Sequence, residues 1–367
     1  MKENNRKKKV VVGMSGGVDS SVTAALLKQQ GFHVIGVFMK NWSDDVGDYG
    51  CTWAADAEDA RKAAEILKIP FYVWNFEKEY YKRVVGYFLR EYKAGRTPNP
   101  DVMCNKEIKF KVFLEKALSL GADFVATGHY ARIQKSKIKS QNDNAKVKIK
   151  LLKGIDPAKD QSYFLYTLQQ DQLSKILFPI GDYKKSQVRE LAKKFKLPNF
   201  AKKDSQGICF IGKINVREFL QGHIKARKGE IVTTAGKVVG KHIGLPFYTI
   251  GQREGIGLGG NGPYYVAEKK LEKNQLVVTN NVLDGKLWKR EFEVADVSWT
   301  GTEPKFPLKA GITIRYHHPD YPGEIRKKRN GNLGIKFKKS QRAITIGQAA
   351  VIYKGEELLG GGIIKVI

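Results

Sequence analysis

The 367-residue sequence has few cysteines, no long apolar run and no excess of acidic residues. Its three cysteines, Cys51, Cys104 and Cys209, form neither a disulfide framework nor a C-x-x-C pair of the kind that binds zinc. No apolar segment approaches membrane-spanning length, and Met1 to Lys8 is too short and polar for a signal peptide. We therefore expect a cytoplasmic protein in a reducing compartment, with no membrane contact and no metal site built from its own side chains.

Positive charge is what the sequence has in excess. It holds 65 Lys and Arg against 37 Asp and Glu, which gives a formal net charge of +28. Such an excess favours a polyanionic partner, nucleic acid before a membrane, because no segment resembles a basic amphipathic helix. Lysine is spread along the whole chain, so a lysine-rich composition that only solvates the surface is the alternative explanation.

The segment Lys9 to Ser21, K-V-V-V-G-M-S-G-G-V-D-S-S, combines a strand pattern, a glycine turn and a helix pattern. Lys9 to Gly13 has the β-branched run of a buried strand, and Val18 to Gln30 has the apolar spacing of a helix. A glycine turn between them directs backbone N–H groups and the positive end of the helix at one point, which suits a phosphate. Serine hydroxyls in the turn can add donors.

The spacing of this turn excludes two common phosphate loops. A Walker A loop needs a lysine after its glycines, none follows Gly17, and a G-x-G-x-x-G fingerprint is missing. S-G-G-V-D-S resembles the S-G-G-x-D-S loop of the PP-loop ATP pyrophosphatases, which cleave ATP to AMP and pyrophosphate and adenylate a carbonyl oxygen. An ordinary glycine turn is the alternative. The resemblance implies ATP binding by the residues that we call the phosphate loop: Gly13, Met14, Ser15, Gly16, Gly17, Val18, Asp19 and Ser20.

Strand and helix patterns alternate after the phosphate loop. Strands are predicted at His33–Met39, Phe71–Trp74 and Asp123–Thr127, and helices at Thr52–Leu67, Glu79–Tyr92, Lys106–Leu120, Asp160–Leu168 and Lys184–Phe195. The alternation predicts an α/β fold with a doubly wound parallel sheet, whose ligands bind at the carboxyl ends of the strands. The polar stretch Lys135 to Lys148 predicts a hairpin with a solvated tip.

From Gly229 onward the sequence changes to short alternating runs between glycine-rich turns. Such runs occupy Glu230–Thr233, Pro263–Ala267 and Gln275–Thr279, and they continue through Phe292–Ile367. We predict a PP-loop domain at residues 1–212, a small central β-rich domain at 213–284 and a C-terminal β-barrel at 285–367. The boundary near Asp284-Gly285 rests on a turn signal alone.

Five further motifs follow the phosphate loop. They are R-T-P-N-P-D-V-M-C-N (Arg96 to Asn105), G-H-Y (Gly128 to Tyr130), K-D-Q-S-Y-F-L (Lys159 to Leu165), D-S-Q-G-I-C-F-I-G (Asp204 to Gly212) and Y-T-I-G-Q-R-E-G-I-G-L-G-G (Tyr248 to Gly260). In this order they resemble the tRNA-specific 2-thiouridylases over nearly the whole chain, although the hairpin at 135–148 is longer than that family's pattern. The resemblance implies ATP-dependent 2-thiolation of the wobble uridine of tRNA, by adenylation of the base and persulfide sulfur transfer, giving 2-thiouridine, AMP and pyrophosphate.

The same resemblance implies a role for each matched residue. Cys209 would carry the persulfide, Cys104 would resolve it through a transient disulfide, and Asp101 would act as general acid or base. ATP would bind with Mg²⁺, with Met39 and Gly128 at its adenosine side. Contacts to tRNA are implied for Asn99, Pro100, Asp101, His129, Lys159, Asp160, Gln161, Arg315, Tyr316 and Gln348, so the barrel would bind tRNA. A cysteine desulfurase or sulfur-relay protein would supply the persulfide.

The local sequence around the cysteines agrees with these roles. Cys104 is expected just ahead of the helix at Lys106, and Lys202, Lys203 and Lys213 are near Cys209 in sequence. Either setting would lower the pKa of the thiol. Cys51, in an acidic stretch without a motif, is predicted to be a bystander.

Taken one at a time, these residues also have structural interpretations. Either motif cysteine could be a small buried side chain, Asp101 a helix cap and His129 a structural histidine. Two other functions are alternatives for the whole chain. Another PP-loop ligase acting on a small molecule would not need two reactive cysteines or a basic surface. A non-catalytic RNA-binding protein with a vestigial nucleotide fold would not keep Asp101, Cys104 and Cys209 in intact motifs.

Overall fold

The computed structural model describes residues 8–43, 53–138, 146–204, 209, 215–259 and 262–366. Cys51, Lys213 and the tip of the predicted hairpin, residues 139–145, lie outside the described residues. In the ranges that are described, no helix has the length and apolarity that crossing a membrane requires.

Seventeen strands are found in the described residues, and they form three sheets. In chain order they are β1 (Lys9–Gly13), β2 (His33–Lys40), β3 (Phe71–Asn75), β4 (Phe124–Thr127), β5 (Ala131–Ile138), β6 (Lys146–Lys153), β7 (Ile176–Leu177), β8 (Gly229–Thr233), β9 (Val238–His242), β10 (Tyr265–Lys270), β11 (Gln275–Thr279), β12 (Trp288–Trp299), β13 (Leu308–Thr313), β14 (Tyr321–Lys327), β15 (Leu333–Arg342), β16 (Ala349–Lys354) and β17 (Glu357–Val366).

Most helices belong to the N-terminal half. They are α1 (Val18–Gln29), α2 (Trp53–Ile66), α3 (Glu77–Tyr80), the π-helix π1 (Tyr81–Val85), α4 (Gly86–Lys93), α5 (Pro100–Met103), the π-helix π2 (Cys104–Phe113), α6 (Leu114–Ser119), α7 (Gln170–Leu173), α8 (Lys185–Lys194) and α9 (Val216–His223). Two 3₁₀ turns, Ser162–Leu165 and Leu245–Phe247, complete the set for the described part of the chain.

The first sheet is parallel, with strand order β3-β2-β1-β4-β7, and its core strand β1 pairs with β2 on one side and β4 on the other. Its valine-rich strands β1, β2 and β4 are mostly buried because helices cover both faces, whereas β3 at the edge is partly exposed. The register sets Gly13, the last residue of β1, opposite Thr127, the last residue of β4, and opposite Val37 of β2, which continues to Lys40. This confirms the predicted doubly wound fold, with its topological switch point between β1 and β4.

The two later sheets are the β-rich parts that the sequence predicts. Strands β10-β11-β8-β9 form a four-stranded sheet after α9. The C-terminal strands follow the order β12-β15-β14-β13-β16-β17, and β12 also pairs with β17, so six strands close into a barrel. Its interior is filled by aliphatic and aromatic side chains such as Val294, Ile335 and Phe337. The predicted C-terminal barrel is confirmed.

The hairpin of β5 and β6 has a structural role that the sequence did not reveal. Strand β6 continues the sheet of the barrel, because Leu151 and Leu152 pair with Leu358 and Glu357 of β17. The β5–β6 hairpin therefore joins the N-terminal half to β17.

Two helix predictions were wrong in an informative way. A helix was expected from Lys106, but the helical segment begins at Pro100, because the side chain of Asn99 accepts hydrogen bonds from the N–H groups of Asp101 and Val102. A helix was also expected over Asp160–Leu168, where only the 3₁₀ turn forms. The Asp160 carboxylate accepts from Gly154 N and Ser162 N, and such local bonds compete with helical ones.

Gln170 joins the hairpin to the barrel, which makes it a test of this architecture. Its side chain donates to Ile149 O (2.8 Å) and Thr300 O (2.6 Å) and accepts from Ile149 N (3.1 Å). We expect Gln170→Ala to lower the free energy of unfolding by about 2 kcal/mol, since partly buried groups lose their partners. Gln134→Ala, at an exposed position of β5, should change it by less than about 0.5 kcal/mol. Equal unfolding curves for the two variants would show that Gln170 does not stabilise the contact between the hairpin and the barrel.

Candidate active site

The phosphate loop leaves β1 at Gly13 and enters α1 at Val18. Ser20 holds it closed, because its hydroxyl donates to Gly17 O (3.0 Å) and accepts from Ser15 N (3.1 Å). Gly16 has a φ of +76°, and a Cβ there would stand 2.2 Å from the carbonyl oxygen of Asp56. Glycine is therefore required at this point for the loop to pack against α2.

Sequence reasoning missed Asn199, which supports the loop from the segment after α8. Its side-chain amide donates to Gly16 O and to the hydroxyl of Ser21, both at 2.9 Å. Asn199 is 5% exposed, so the contact is a fixed part of the loop. No motif of the chain pointed to it, since it is almost 180 residues from the loop in sequence.

Met39 and Gly128, which the resemblance assigned to the adenosine side, lie next to the loop. A Cβ on Gly13 would stand 2.9 Å from Cε of Met39, and one on Gly128 would stand 2.8 Å from Ser20 N. The ends of β1, β2 and β4 thus meet around the start of α1. The structure brings together all ten residues predicted to bind ATP.

Asp19 of the loop belongs to a charged network that the sequence did not predict. The ammonium group of Lys185 lies 2.8 Å from both carboxylate oxygens of Asp19 and 2.7 Å from Asp204. Tyr130 also donates to Asp19 (2.8 Å), and Arg189 lies 3.3 Å from Asp204. Lys185 therefore connects the phosphate loop to the residue at the start of the Cys209 motif.

This network allows a test of whether Mg²⁺ fits. Two carboxylates that meet around one cation are the donor set that Mg²⁺ uses when nucleotide phosphates and water supply the remaining oxygens. Among the described residues, no group of three or more His, Cys, Asp or Glu could hold an ion alone. Asp19 and Asp204 offer carboxylate oxygens for an ion that arrives with the nucleotide, but the Lys185 ammonium group lies between them in this structure.

The two motif cysteines are brought together although 105 residues separate them. Cys104 begins π2 and is fully buried, whereas Cys209 is partly exposed. Their side chains share a hydrogen bond. The backbone of Cys209 is held on both sides, since its N–H donates to Asp101 (3.0 Å) and its C=O accepts from the hydroxyl of Tyr80 (2.7 Å). We call Cys104 and Cys209 the thiol pair.

The electrostatics of the thiol pair correct one expectation. Burial raises the pKa of Cys104, which lies in the second turn of its helical segment and not ahead of it. The hydrogen bond from Cys104, and then the charge of Lys109, lower the pKa of Cys209 to about 7. The predicted lowering is therefore wrong for Cys104 and holds for Cys209 alone.

Among the described residues, the lysine that acts on Cys209 is not one of the expected ones; Lys213 lies outside them. Lys202 pairs with Asp56 (2.7 Å) and Asp59 (2.6 Å), and Lys203 is exposed. Lys109 of π2 instead contacts the thiol, because it shares a side-chain hydrogen bond with Cys209. Asp101 lies beside both groups, and burial raises the pKa of its carboxyl.

His129 links the two halves of the site. It directly follows Gly128, which lies against the phosphate loop, and its ring is 3.5 Å from the ammonium group of Lys109. Its other ring nitrogen lies 2.6 Å from the hydroxyl of Thr127. His129 is 6% exposed, so the structure gives it a supporting role, while its contact with tRNA stays a prediction.

The other residues predicted to contact tRNA gather where the barrel meets the segment Thr97 to Asn99. Gln348 donates to Thr97 O (2.9 Å) and Pro98 O (3.2 Å). The ring of Tyr316 lies 4.3 Å from that of Phe164, and Arg315 donates to Ala343 O at 3.4 Å. Asn99 and Tyr163 share a hydrogen bond next to this group. Pro100 follows as the first residue of α5.

Lys159, Asp160 and Gln161, which are also predicted to contact tRNA, have partners within the N-terminal half. Lys159 pairs with Asp204 at 2.5 Å, and Gln161 accepts a hydrogen bond from Tyr130 N at 3.1 Å. Asp204 begins the Cys209 motif and Tyr130 donates to Asp19 of the phosphate loop, whereas Asp160 bonds to Gly154 and Ser162. Their contact with tRNA stays a prediction as well.

Comparison with protein families divides the chain into three parts. Residues 8–213 match a model described as tRNA methyl transferase HUP domain, and residues 217–280 match tRNA methyl transferase PRC-barrel domain. Residues 289–364 match Aminomethyltransferase beta-barrel domain. The first model contains the phosphate loop and the thiol pair.

Curated relatives are similar over nearly their full length. A tRNA-specific 2-thiouridylase MnmA of Bacillus subtilis is 49% identical, and the alignment covers 99% of this chain and 96% of the relative. Proteins with the same name from Lysinibacillus sphaericus and Chromobacterium violaceum are each 51% identical. These two alignments cover 97% and 98% of this chain and 94% and 92% of the relatives.

A substitution at Gly17 tests the phosphate loop. Gly17 has an extended backbone that valine adopts readily, and a Cβ there would meet only Ser15 Oγ, at 3.5 Å. We expect Gly17→Val to preserve the fold but to lower ATP cleavage to AMP at least about tenfold, because its methyl groups crowd the phosphate-facing hydroxyl. Pyrophosphate release in the presence of tRNA measures this.

Gly285→Val is the matched control, since a Cβ at Gly285 has no neighbour within 4 Å and the residue is remote from the loop in sequence. It should cleave ATP at the parent rate. A Gly17→Val protein that also releases pyrophosphate at the parent rate would show that nucleotide binds elsewhere.

Proposed function

The chain belongs to the tRNA-specific 2-thiouridylase family, and we propose that it replaces the C2 oxygen of the wobble uridine with sulfur through ATP and a persulfide on Cys209. One observation carries the proposal. Two thiols from distant motifs share a hydrogen bond beside a carboxyl group and an ammonium group, next to a phosphate loop. Sulfur transfer needs one thiol to carry the sulfur and a second to release it.

The first step would be adenylation of the base. The uridine leaves its stack to reach the thiol pair, as bases must when an enzyme modifies them. Its C2 oxygen attacks the α-phosphorus of ATP, pyrophosphate leaves, and the C2–O bond becomes a bond to a good leaving group. The loop N–H groups and serine hydroxyls would hold the phosphates. Asp19 and Asp204 would hold Mg²⁺, which neutralises charge on the phosphates.

The second step would transfer the sulfur. The terminal sulfur of the Cys209 persulfide attacks C2, AMP leaves, and the base is joined to Cys209 through two sulfur atoms. The Cys104 thiolate then attacks the Cys209 sulfur. The base departs as 2-thiouridine, and a Cys104–Cys209 disulfide remains. Asp101 lies where it could accept or return a proton, and its raised pKa suits that role.

The cycle requires partners of known chemistry. A cysteine desulfurase or sulfur-relay protein would supply each persulfide. A thiol reductant would return two electrons to the disulfide, which suits the reducing cytoplasm. The tRNA would bind across the contact between the barrel and the Thr97–Asn99 segment, where Arg315 and Tyr316 offer a guanidinium and a ring for stacking.

The thiol pair also separates this function from its rivals. A PP-loop ligase for a small molecule, a methyltransferase or a non-catalytic RNA-binding protein needs no second thiol bonded to the first. In each of these, the backbone clamp on Cys209 by Asp101 and Tyr80 would have no chemical purpose.

The cysteine variants test the proposal directly. Thiolation with a protein persulfide donor should fall to no more than about one-thousandth of the parent in both Cys104→Ser and Cys209→Ser, because an alcohol can neither carry nor displace sulfane sulfur. The persulfide adduct should form in Cys104→Ser and be lost in Cys209→Ser. Nucleoside mass spectrometry measures the product, and intact-protein mass spectrometry measures the adduct.

Cys51→Ser is the matched control, and it should thiolate tRNA like the parent. ATP binding should persist in all three variants, since none of the cysteines belongs to the phosphate loop. Full activity in either Cys104→Ser or Cys209→Ser would refute the assignment.

The positive charge predicts a salt dependence. If the basic surface binds tRNA, the logarithm of the association constant should fall linearly with the logarithm of salt concentration, since bound counterions are released. Arg315→Ala should weaken binding and reduce that slope by about 1. Arg61→Ala is the control, because its charge is already paired with Glu58 and Glu65. Filter binding at several salt concentrations measures the association constant and its salt dependence. An association constant that does not change with salt would show that the positive charge only solvates the surface.

A further inference from the structure

We propose that Lys109 is a catalytic residue that decides which of the two thiols receives the persulfide, by holding the Cys209 sulfur as a thiolate beside its ammonium group. The inference rests on the proposed sulfur transfer and adds to it a residue and an order of events. It comes from a side chain that no motif of the sequence singled out.

The geometry of π2 brings Lys109 to the thiols. Cys104 and Lys109 are five residues apart, and π-helical hydrogen bonds join residues five apart, so side chains at this spacing lie near each other. In an α-helix, residues three and four apart would be neighbours instead. A rare helix type therefore turns a lysine toward the reacting sulfurs. Wide helical turns of this kind are frequent at functional sites.

A neutral histidine fixes the position of the ammonium group. Burial, and then the charge of Lys109, lower the pKa of His129, so its ring stays uncharged. Its Nε2 lies 3.5 Å from Lys109 Nζ and can accept a hydrogen bond from it only if Nδ1 carries the ring hydrogen. That hydrogen points to the Thr127 hydroxyl, 2.6 Å away. The end of β4 thus orients the lysine.

The two thiols are not equivalent toward this cation. Lys109 shares a side-chain hydrogen bond with Cys209, while Cys104 interacts with it through charge alone. Among the described residues, the other ionisable groups that face the pair are Asp101, whose carboxylate disfavours a nearby thiolate, and Tyr80, which burial keeps protonated by raising its pKa. In this part of the chain, Lys109 is thus the cation that favours the thiolate at Cys209.

This asymmetry sets the order of the chemistry. The Cys209 thiolate attacks the terminal sulfur of the donor persulfide. The donor's S–S bond breaks, the donor leaves as a thiolate, and Cys209 becomes the persulfide. Cys104 keeps its proton meanwhile. Were Cys104 a thiolate at this stage, it would attack the Cys209 sulfur, release hydrosulfide and close the disulfide before any base had been adenylated.

Lys109→Met tests the inference without tRNA, ATP or donor. The readout is the rate at which iodoacetamide alkylates Cys209 in the full chain, measured between pH 5.5 and 9.5 by peptide mass spectrometry. In the parent, the rate should be half-maximal at about pH 7. In Lys109→Met we expect the rate at pH 7 to fall about tenfold and the midpoint to rise, because the thiolate loses its cation.

Two matched variants interpret that result. Lys109→Arg keeps the charge and should restore most of the rate. Lys111→Met removes an exposed lysine of the same helix that pairs with Glu107, and it should leave the profile unchanged. A Lys109→Met rate within twofold of the parent at pH 7 would overturn the inference. If Lys109→Met does not fold, the parent profile decides, and a midpoint for Cys209 above pH 8.5 would overturn it.

The outcome is distinguishable from failure of the sulfur-transfer proposal. Alkylation of Cys209 reports the thiolate whether or not tRNA is thiolated. If Cys209→Ser still thiolates tRNA, while alkylation of Cys209 differs between the parent and Lys109→Met, only the persulfide role is rejected. If Cys209→Ser is inactive, while the parent and Lys109→Met show the same pH profile of Cys209 alkylation, only the role of the lysine is rejected.

Discussion

Two hydrogen bonds to the backbone of Cys209 are the constraint on which the rest of the site depends. The Asp101 carboxylate accepts from its N–H at 3.0 Å, and the Tyr80 hydroxyl donates to its C=O at 2.7 Å. Because main-chain atoms are held, the grip does not depend on the state of the sulfur. The side chain can therefore change from thiolate to persulfide to disulfide while its attachment stays in place.

Each partner in that grip is itself positioned by local structure. Asp101 follows Asn99, whose side chain caps α5, and Gln348 of the barrel holds the carbonyl groups of Thr97 and Pro98 just before it. Tyr80 ends α3 and is completely buried. The thiol pair thus depends on contacts from the first sheet, its helices and the barrel.

Much of the fold followed from the sequence, because its signals are local. The β-branched run Lys9–Gly13 and the alternating run Gln275–Thr279 gave strands with the predicted bounds. The glycine turn and its position between strand and helix predicted the phosphate loop. The Asp160–Leu168 helix failed because a side chain there captured backbone groups that a helix would need.

The site was only partly predictable, because several of its interactions arise from tertiary contacts. Lys185 and Asn199 reach the phosphate loop from segments far along the chain. Lys109 was missed because residues five apart lie on different faces of an α-helix, which has 3.6 residues per turn. In the observed π-helix, Lys109 and Cys104 lie near each other. The pKa of Cys104 rises because burial outweighs any benefit of a helix N-terminus.

The pairing of β6 with β17 has a consequence for how the protein is made. A chain synthesised from its N-terminus exposes the outer edge of β6 until Glu357 and Leu358 have emerged, about 205 residues later. Gln348, which holds the segment before Asp101, also emerges 251 residues after Thr97. The nucleotide-binding half can therefore collapse early, but its reactive centre gains its full support only after the strands of the barrel have been synthesised.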